Sequence, residues 1–325
     1  MTRASILAVA VLFAAPFAPD PLEIREWPVP WQNTGPRDPY VAPDGRVWFV
    51  GQRGDYVAVL DPSSGEFRRF ALPAGAGPHN LIVARDGKVW YAGNRAGHIG
   101  IVDPTSGAVT QIAMPDGVRD PHTLVWDSQG DIWFTAQQSN YVGHLDVDTR
   151  AVHVVPVATP RARPYGIVMD RAGRPWIVLF GTNKLATVDP AAFTLREIAL
   201  PRPDARPRRL VVTPDGMIWY GDYAKGYLGR YDPGSGAFKE WPMPAGEASL
   251  PYAMTLDDRN RIWLVETGVR PNRFAGFDPA KEAFVASVEI PSGGGAVRHM
   301  VFDPKTRSIW FGTDAGTIGR AKLNN

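Results

Sequence analysis

The sequence contains no cysteine among its 325 residues. Disulfides, zinc–thiolate sites, iron–sulfur clusters and cysteine nucleophiles are therefore excluded. A surplus of charge is missing as well, because 35 Lys and Arg residues face 33 Asp and Glu residues. An electrostatic nucleic-acid binder needs a concentrated basic surplus, so we expect no nucleic-acid partner. P-loop, HExxH and GxSxG motifs are absent too, which removes the signatures of nucleotide hydrolysis, zinc proteolysis and serine hydrolysis.

Long apolar runs are absent after the first few residues. Residues 4–15 form one apolar run behind Arg3, which is too short to span a membrane. Residues 1–18 therefore resemble a secretory signal peptide, with an uncleaved N-terminal anchor as the alternative. We expect a secreted or periplasmic protein without a membrane span after signal removal. We also expect residues 22–325 to form a single domain.

What the sequence does contain is a repeat marked by tryptophan. Seven tryptophans follow one another at spacings of 42 to 47 residues: Trp48, Trp90, Trp133, Trp176, Trp219, Trp263 and Trp310. A fixed period in this range indicates an array of similar supersecondary units. The 33 glycines and 31 prolines supply turns between short β-rich runs.

Turn signals divide each repeat into four strands. Asp-Gly pairs, which suit tight hairpins, lie between two apolar runs at positions 44–45, 86–87 and 215–216. A second turn, mostly Asp-Pro, follows in each of the first six repeats. Seven four-stranded units predict an all-β, seven-bladed β-propeller in which the tryptophans pack between blades.

The two ends of the chain complement each other. The last repeat stops after its third strand, whereas Leu22–Pro28 resembles the fourth strand at residues 237–244. We therefore expect the N-terminal strand to close the last blade, which removes an exposed sheet edge.

Polar side chains recur at the start of the innermost strands, eleven residues before each tryptophan. These are Arg37, His79, His122, Tyr165, Arg208, Tyr252 and His299. The longer turn in the last repeat leaves Arg298 as an alternative to His299. The pattern predicts a ligand-facing ring at the mouth of the central channel, and the alternative is a water-filled channel without a ligand.

Two carboxylates occupy a second recurring position, three residues after the tryptophan. Asp222 and Glu266 can each act there as a general base or a metal ligand. The alternative for both is an ion pair, for example with Arg208. The loops near the mouth are basic and favour an anionic ligand; their arginines are Arg119, Arg161, Arg163, Arg202, Arg206 and Arg209. The histidines His98, His144 and His153 are expected at the surface.

The repeat resembles that of the streptogramin B (virginiamycin B) lyase family. The resemblance covers the whole chain after the leader and rests on recurring elements: Pro78-His79, Pro121-His122, Pro164-Tyr165-Gly166-Ile167, Ile132-Trp133-Phe134-Thr135, Ile262-Trp263-Leu264-Val265-Glu266 and Ile318-Gly319-Arg320. It implies a magnesium-dependent carbon–oxygen lyase that opens a cyclic ester by elimination. In such a reaction a base removes a proton α to a carbonyl and a carboxylate leaves, without water.

The site implied by this resemblance is altered here. Glu266 is kept, but Tyr252 stands where the family has a histidine fourteen residues earlier, and Arg208 replaces a second histidine. The acidic residue two positions before the catalytic histidine is matched by Leu250. The resulting hypothesis assigns catalysis to Glu266, Tyr252 and Arg208, with Arg208 lowering the pKa of Tyr252. Glu266 is then the candidate ligand for Mg²⁺.

Three functions remain open from sequence. The leading hypothesis is a monomeric propeller that binds a small or peptide-like ligand and acts as a lyase. The first alternative is a non-catalytic propeller that binds a ligand or a protein. The second alternative is a metal-dependent lactonase, which needs several carboxylate and amide ligands around one calcium ion.

Overall fold

A computed structural model of the chain describes residues 22–324. The proposed signal peptide, residues 1–18, lies outside this range. The described residues form 28 strands and one short 3₁₀ helix, Gly246–Ser249. The strands make seven separate antiparallel sheets of four strands each, which confirms the seven-bladed propeller. Within residues 22–324 there is no helix with the length and hydropathy of a membrane span.

Each of the first six blades is built from four consecutive strands, with the innermost strand first. Blades 1 to 3 contain β2 (Pro36–Val41), β3 (Val47–Gly51), β4 (Tyr56–Leu60), β5 (Phe67–Ala71); β6 (Pro78–Val83), β7 (Val89–Gly93), β8 (His98–Val102), β9 (Val109–Ala113); β10 (Pro121–Trp126), β11 (Ile132–Ala136), β12 (Tyr141–Leu145) and β13 (Val152–Pro156). Blades 4 to 6 contain β14 (Pro164–Met169), β15 (Pro175–Leu179), β16 (Lys184–Asp189), β17 (Thr194–Ala199); β18 (Pro207–Val212), β19 (Ile218–Asp222), β20 (Tyr227–Tyr231), β21 (Phe238–Pro242); β22 (Pro251–Leu256), β23 (Ile262–Glu266), β24 (Arg273–Asp278) and β25 (Ala283–Glu289).

Blade 7 is assembled from both ends of the chain. It contains β26 (Val297–Asp303), β27 (Ser308–Thr313), β28 (Thr317–Leu323) and β1 (Leu22–Pro28). Strand β1 pairs antiparallel with β28, from Leu22 opposite Leu323 to Pro28 opposite Thr317. The predicted closure is confirmed, so the outer strand of the last blade comes from the N-terminus and the ring of blades is complete.

The repeated tryptophans pack between blades. Trp48 on β3 is 2% exposed and lies in one apolar cluster with Leu81 and Val83 of blade 2. Some indole N–H groups also donate to the hairpin that precedes their own strand, as Trp263 does to Asp257 at 2.9 Å. Burying a large aromatic side chain at the same level of every blade holds the blades together and positions their innermost strands around the channel.

Candidate functional site at the channel mouth

The innermost strands present two consecutive residues to the channel because each contains a bulge near its start. In β10, Pro121 pairs with Ala136 and Leu124 pairs with Phe134, so His122 and Thr123 together oppose one residue. The first of the two residues forms an upper ring: Arg37, His79, His122, Tyr165, Arg208, Tyr252 and Arg298. The second forms a lower ring: Asp38, Asn80, Thr123, Gly166, Arg209, Ala253 and His299.

The structure shows which residue of blade 7, Arg298 or His299, lies in the upper ring. Val297 pairs with Thr313 just as Pro251 pairs with Glu266 in blade 6. The next residue, Arg298, therefore takes the upper position, and His299 lies one level lower. Counting eleven residues back from the tryptophan is wrong in this blade because its hairpin contains one more residue.

Neutral histidines line one side of the upper ring. The guanidinium of Arg37 donates to Nε2 of His79 at 2.9 Å and to Oε1 of Gln52 at 2.6 Å. The ring of His79 lies 3.5 Å from that of His122, measured between centroids, and Nδ1 of His122 lies 2.9 Å from Oγ1 of Thr123. Burial and the neighbouring arginines lower the pKa of both imidazoles well below the usual value. These histidines therefore stay uncharged at neutral pH and pack against each other without repulsion.

Two tyrosines meet on the other side of the ring. The hydroxyls of Tyr165 and Tyr252 are in hydrogen-bond contact across the channel, and both residues are buried. Burial raises the pKa of Tyr165, but Arg208, Arg209 and Arg37 together lower it below the usual value. Burial and the neighbouring Tyr165 raise the pKa of Tyr252 to about 12. The two phenols therefore differ in acidity, which suits one as a base and the other as a proton donor.

The expected effect of Arg208 on the pKa of Tyr252 is present, but it is outweighed by other effects. The guanidinium carbon of Arg208 does lie 3.6 Å from the centroid of the Tyr252 ring. Its charge lowers the pKa of Tyr252, yet burial and the nearby Tyr165 outweigh it. The more acidic phenol is Tyr165, which was predicted only as a ligand-binding residue.

A single carboxylate balances two arginines in the channel. Asp38 is completely buried, and its oxygens lie 3.3 Å from Arg37 Nε and 3.4 Å from Arg209 Nη2. It also accepts a hydrogen bond from Asn80 Nδ2 at 3.1 Å. Burial raises the pKa of Asp38, but the charges around it lower the pKa below its usual range. Burial lowers the pKa of the nearby His299 to about 4.

Glu266 and Asp222 lie outside this ring, and both accept hydrogen bonds from backbone N–H groups. Glu266 is fully buried; its Oε1 accepts the N–H of Ala245 at 2.8 Å and its Oε2 accepts from Arg273 Nε at 2.6 Å. Asp222 Oδ1 accepts three backbone N–H groups, the nearest from Arg206 at 2.9 Å, and burial raises its pKa. The ion pair that we predicted with Arg208 is formed by neither residue.

The residues around the ring do not fit a magnesium ion. Mg²⁺ prefers several carboxylate oxygens, but those of Asp38 and Glu266 already bind arginines. Among the described residues, Asp222 Oδ2 is then the one buried carboxylate oxygen without a partner, and a single oxygen does not hold Mg²⁺. Among residues 22–324, one group of His, Asp and Glu could hold a metal: Asp127, Asp131 and His144. Two of these residues lie in the hairpin between β10 and β11 and the third lies on β12, and the group does not include Glu266. The lactonase hypothesis, which requires several such ligands at the channel, finds no support here.

Several residues at the site were missed or misplaced by sequence analysis. Arg209, expected in a loop near the mouth, lies on β18, is 4% exposed and points into the channel. Phe180 and Tyr223 come from loops between second and third strands and contact Arg208. His98, expected at the surface, is buried and bonds Tyr91 at 3.0 Å.

The sequence matches a known protein family over most of its length. Residues 20–274 match the model of the virginiamycin B lyase family. The chain belongs to this family. No curated protein matches the sequence.

Solved structures share the propeller. A streptogramin B lyase is 24% identical, with 93% of this chain and 98% of that chain covered and a TM-score of 0.84. A catalytically inactive virginiamycin B lyase variant from Staphylococcus aureus, determined with quinupristin, is 22% identical at 93% and 100% coverage and a TM-score of 0.84. Hydrazine synthase of Kuenenia stuttgartiensis is 14% identical at 90% and 97% coverage, with a TM-score of 0.74. At these identities the likeness establishes the fold alone.

Proposed function

We propose that this family member binds a small or peptide-like ligand at the channel mouth, where the upper ring lies. We further propose that it opens an ester bond of that ligand by elimination. The observation that carries the proposal is the Tyr165–Tyr252 pair, whose pKa values are shifted in opposite directions. An acid and a base held side by side at one end of a channel are what proton abstraction α to a carbonyl needs. The family match supports the same reaction class.

In the proposed reaction, the ionised oxygen of Tyr165 removes a proton α to a carbonyl. The C–H electron pair becomes a carbon–carbon double bond, and the C–O electron pair leaves with the ester carboxylate. No water is consumed. Tyr252 holds its proton and donates a hydrogen bond to the Tyr165 oxygen. The positive charges of Arg208 and Arg37 stabilise the negative charge that develops on the carbonyl oxygen.

Access to the pair depends on Arg208. Both tyrosines are no more than 3% exposed, while Arg208 is partly exposed and stacks on the Tyr252 ring. A substrate therefore meets the partly exposed Arg208 on its way to the phenols. The proposal does not include Mg²⁺, because guanidinium groups occupy the carboxylates that would bind it.

A non-catalytic binding propeller is the second candidate. It is favoured by the tight packing of the ring and by Glu266, which is committed to Ala245 and Arg273. The same ring would then recognise a ligand without converting it. Secretion or residence in the periplasm stays a proposal that rests on residues 1–18.

The test is to incubate the purified protein with cyclic depsipeptides and lactones and to follow mass by liquid chromatography. Elimination gives a ring-opened product of unchanged mass, whereas hydrolysis adds one water. We expect an unchanged mass, a rate that rises with pH as Tyr165 ionises and levels off below pH 10, and no loss with EDTA. Tyr165→Phe should lower the rate by about 10²–10⁴-fold, the usual share of a general base.

The matched control for this test is Tyr91→Phe, which removes a buried hydroxyl outside the channel. It should keep the parent rate. A product heavier by one water would contradict elimination. Ligand binding without any product would leave the non-catalytic propeller as the function.

A further inference from the structure

We propose that the ligand of this mouth carries a carboxylate and that Arg208 binds it. The inference rests on the proposed ligand site and names the chemical class that the site takes. The arginines around the channel differ in whether the protein supplies a carboxylate as their counter-ion. The upper and lower rings together contain four guanidinium groups and one carboxylate.

Three of the four arginines have a carboxylate partner. Arg37 and Arg209 share the buried Asp38, and Arg298 binds Asp314 through two nitrogens. Within residues 22–324, Arg208 has no hydrogen bond and no ion pair, and its Nε is buried without a partner. Leaving a buried donor without an acceptor destabilises the folded protein. Among the four channel arginines, Arg208 is therefore the one that the described residues leave without an acceptor.

Aromatic rings surround the Arg208 guanidinium. Its central carbon lies 3.6 Å from the ring centroid of Tyr252, 4.3 Å from that of Tyr223, 4.5 Å from that of Phe180 and 5.2 Å from that of Tyr165. The rings stabilise the positive charge and fix the position of the group. They accept no ordinary hydrogen bonds, so the guanidinium N–H groups remain available to an incoming acceptor.

A carboxylate matches this donor. Guanidinium presents parallel N–H groups that bind the two oxygens of a carboxylate at once, with a geometry that an ester or amide oxygen does not reproduce. Next to Phe180 lies a cavity of about 450 Å³, which is also lined by Arg161, Arg163 and Arg206. This cavity gives room for the body of the ligand beside the aromatic rings. An organic acid with an apolar or aromatic part fits both features.

The arrangement has a close counterpart elsewhere in the protein. The guanidinium carbon of Arg202 also lies 3.6 Å from a tyrosine ring, that of Tyr227. Arg202 differs from Arg208 because its Nε binds Glu240 at 2.8 Å. Stacking on tyrosine is thus shared by the two arginines, and the missing carboxylate is specific to Arg208.

The experiment compares N-acetylphenylalanine with its neutral amide by isothermal titration calorimetry, with inorganic phosphate as a third probe. We expect the acid to bind at least ten-fold more tightly than the amide. Arg208→Gln should abolish this preference, Arg208→Lys should retain part of it, and Arg202→Gln should leave it unchanged. Equal binding of acid and amide, no binding of the acid, or a preference that survives in Arg208→Gln would overturn the inference.

The outcome separates this inference from the proposed reaction. Turnover of neutral lactones without a preference for the acid would support elimination and overturn the carboxylate site. A preference for the acid without turnover would support the carboxylate site and contradict elimination. Tighter binding of phosphate than of the acid would also overturn the inference, because it would show that Arg208 selects charge rather than the planar carboxylate. The comparison of the acid with the amide uses the parent protein, so its result does not depend on whether a variant folds.

Discussion

Asp38 is the residue on which the charge balance of the channel depends. Its completely buried carboxylate faces Arg37 and Arg209, which are 8% and 4% exposed. Removing one partner of such a group leaves uncompensated charge in a low-dielectric environment. The sequence analysis did not identify Asp38. Counting eleven residues back from Trp48 leads to Arg37, and in a regular strand the next side chain faces away from the channel. The bulge in β2 brings both residues to the channel.

We predict that Asp38→Asn lowers the free energy of unfolding by about 3–5 kcal/mol at pH 7, the usual cost of breaking a buried ion pair. Asparagine tolerates the positive φ of +48° at this position, so the change tests charge rather than backbone strain. Because the folded pKa of Asp38 is lowered, its contribution is complete above the unfolded pKa of about 4 and declines as the pH falls towards the folded value. Urea unfolding across pH checks this, and a difference between parent and variant that does not depend on pH would contradict it.

The outer strand β1 is the element that closes the ring. Trp27 on β1 stacks on Trp310 of β27, with ring centroids 5.5 Å apart and an angle of 26° between the planes. The sequence predicted this closure from the likeness of residues 22–28 to an outer strand. It could not predict the bulges in the innermost strands, since the extra residue leaves no mark in the period of the repeat.

We predict that Trp27→Ala destabilises the protein by about 3–5 kcal/mol and speeds hydrogen exchange of the β28 amides. The matched control is Trp241→Ala in β21, which removes an equivalent stack on Trp219, 5.3 Å between centroids, inside blade 5. Its loss should destabilise the protein without exposing β28 selectively. Unchanged protection of β28 in Trp27→Ala would show that closure does not depend on this contact.

At the scale of the whole molecule, the channel brings together residues that are far apart in sequence. Tyr165 and Tyr252 belong to blades 4 and 6, and Arg209 of blade 5 reaches Asp38 of blade 1. The repeat period was sufficient to predict seven blades and to name most of the upper ring. Which ring members touch across the axis depends on side-chain length and on the smaller residues Gly166 and Ala253 below them, so the pairs emerged only from the structure.

The central claim is that Tyr165 ionises more readily than a free phenol while Tyr252 keeps its proton. Spectrophotometric titration at the tyrosinate band tests it most directly, by comparing the parent with Tyr165→Phe and Tyr252→Phe. We predict that the parent shows one phenol with a pKa below 10 and that this transition disappears in Tyr165→Phe. In Tyr252→Phe it should persist at a higher pH, because the hydrogen bond from Tyr252 is lost. A parent without an early transition, or one that survives in Tyr165→Phe, would contradict the assignment of Tyr165 as the base.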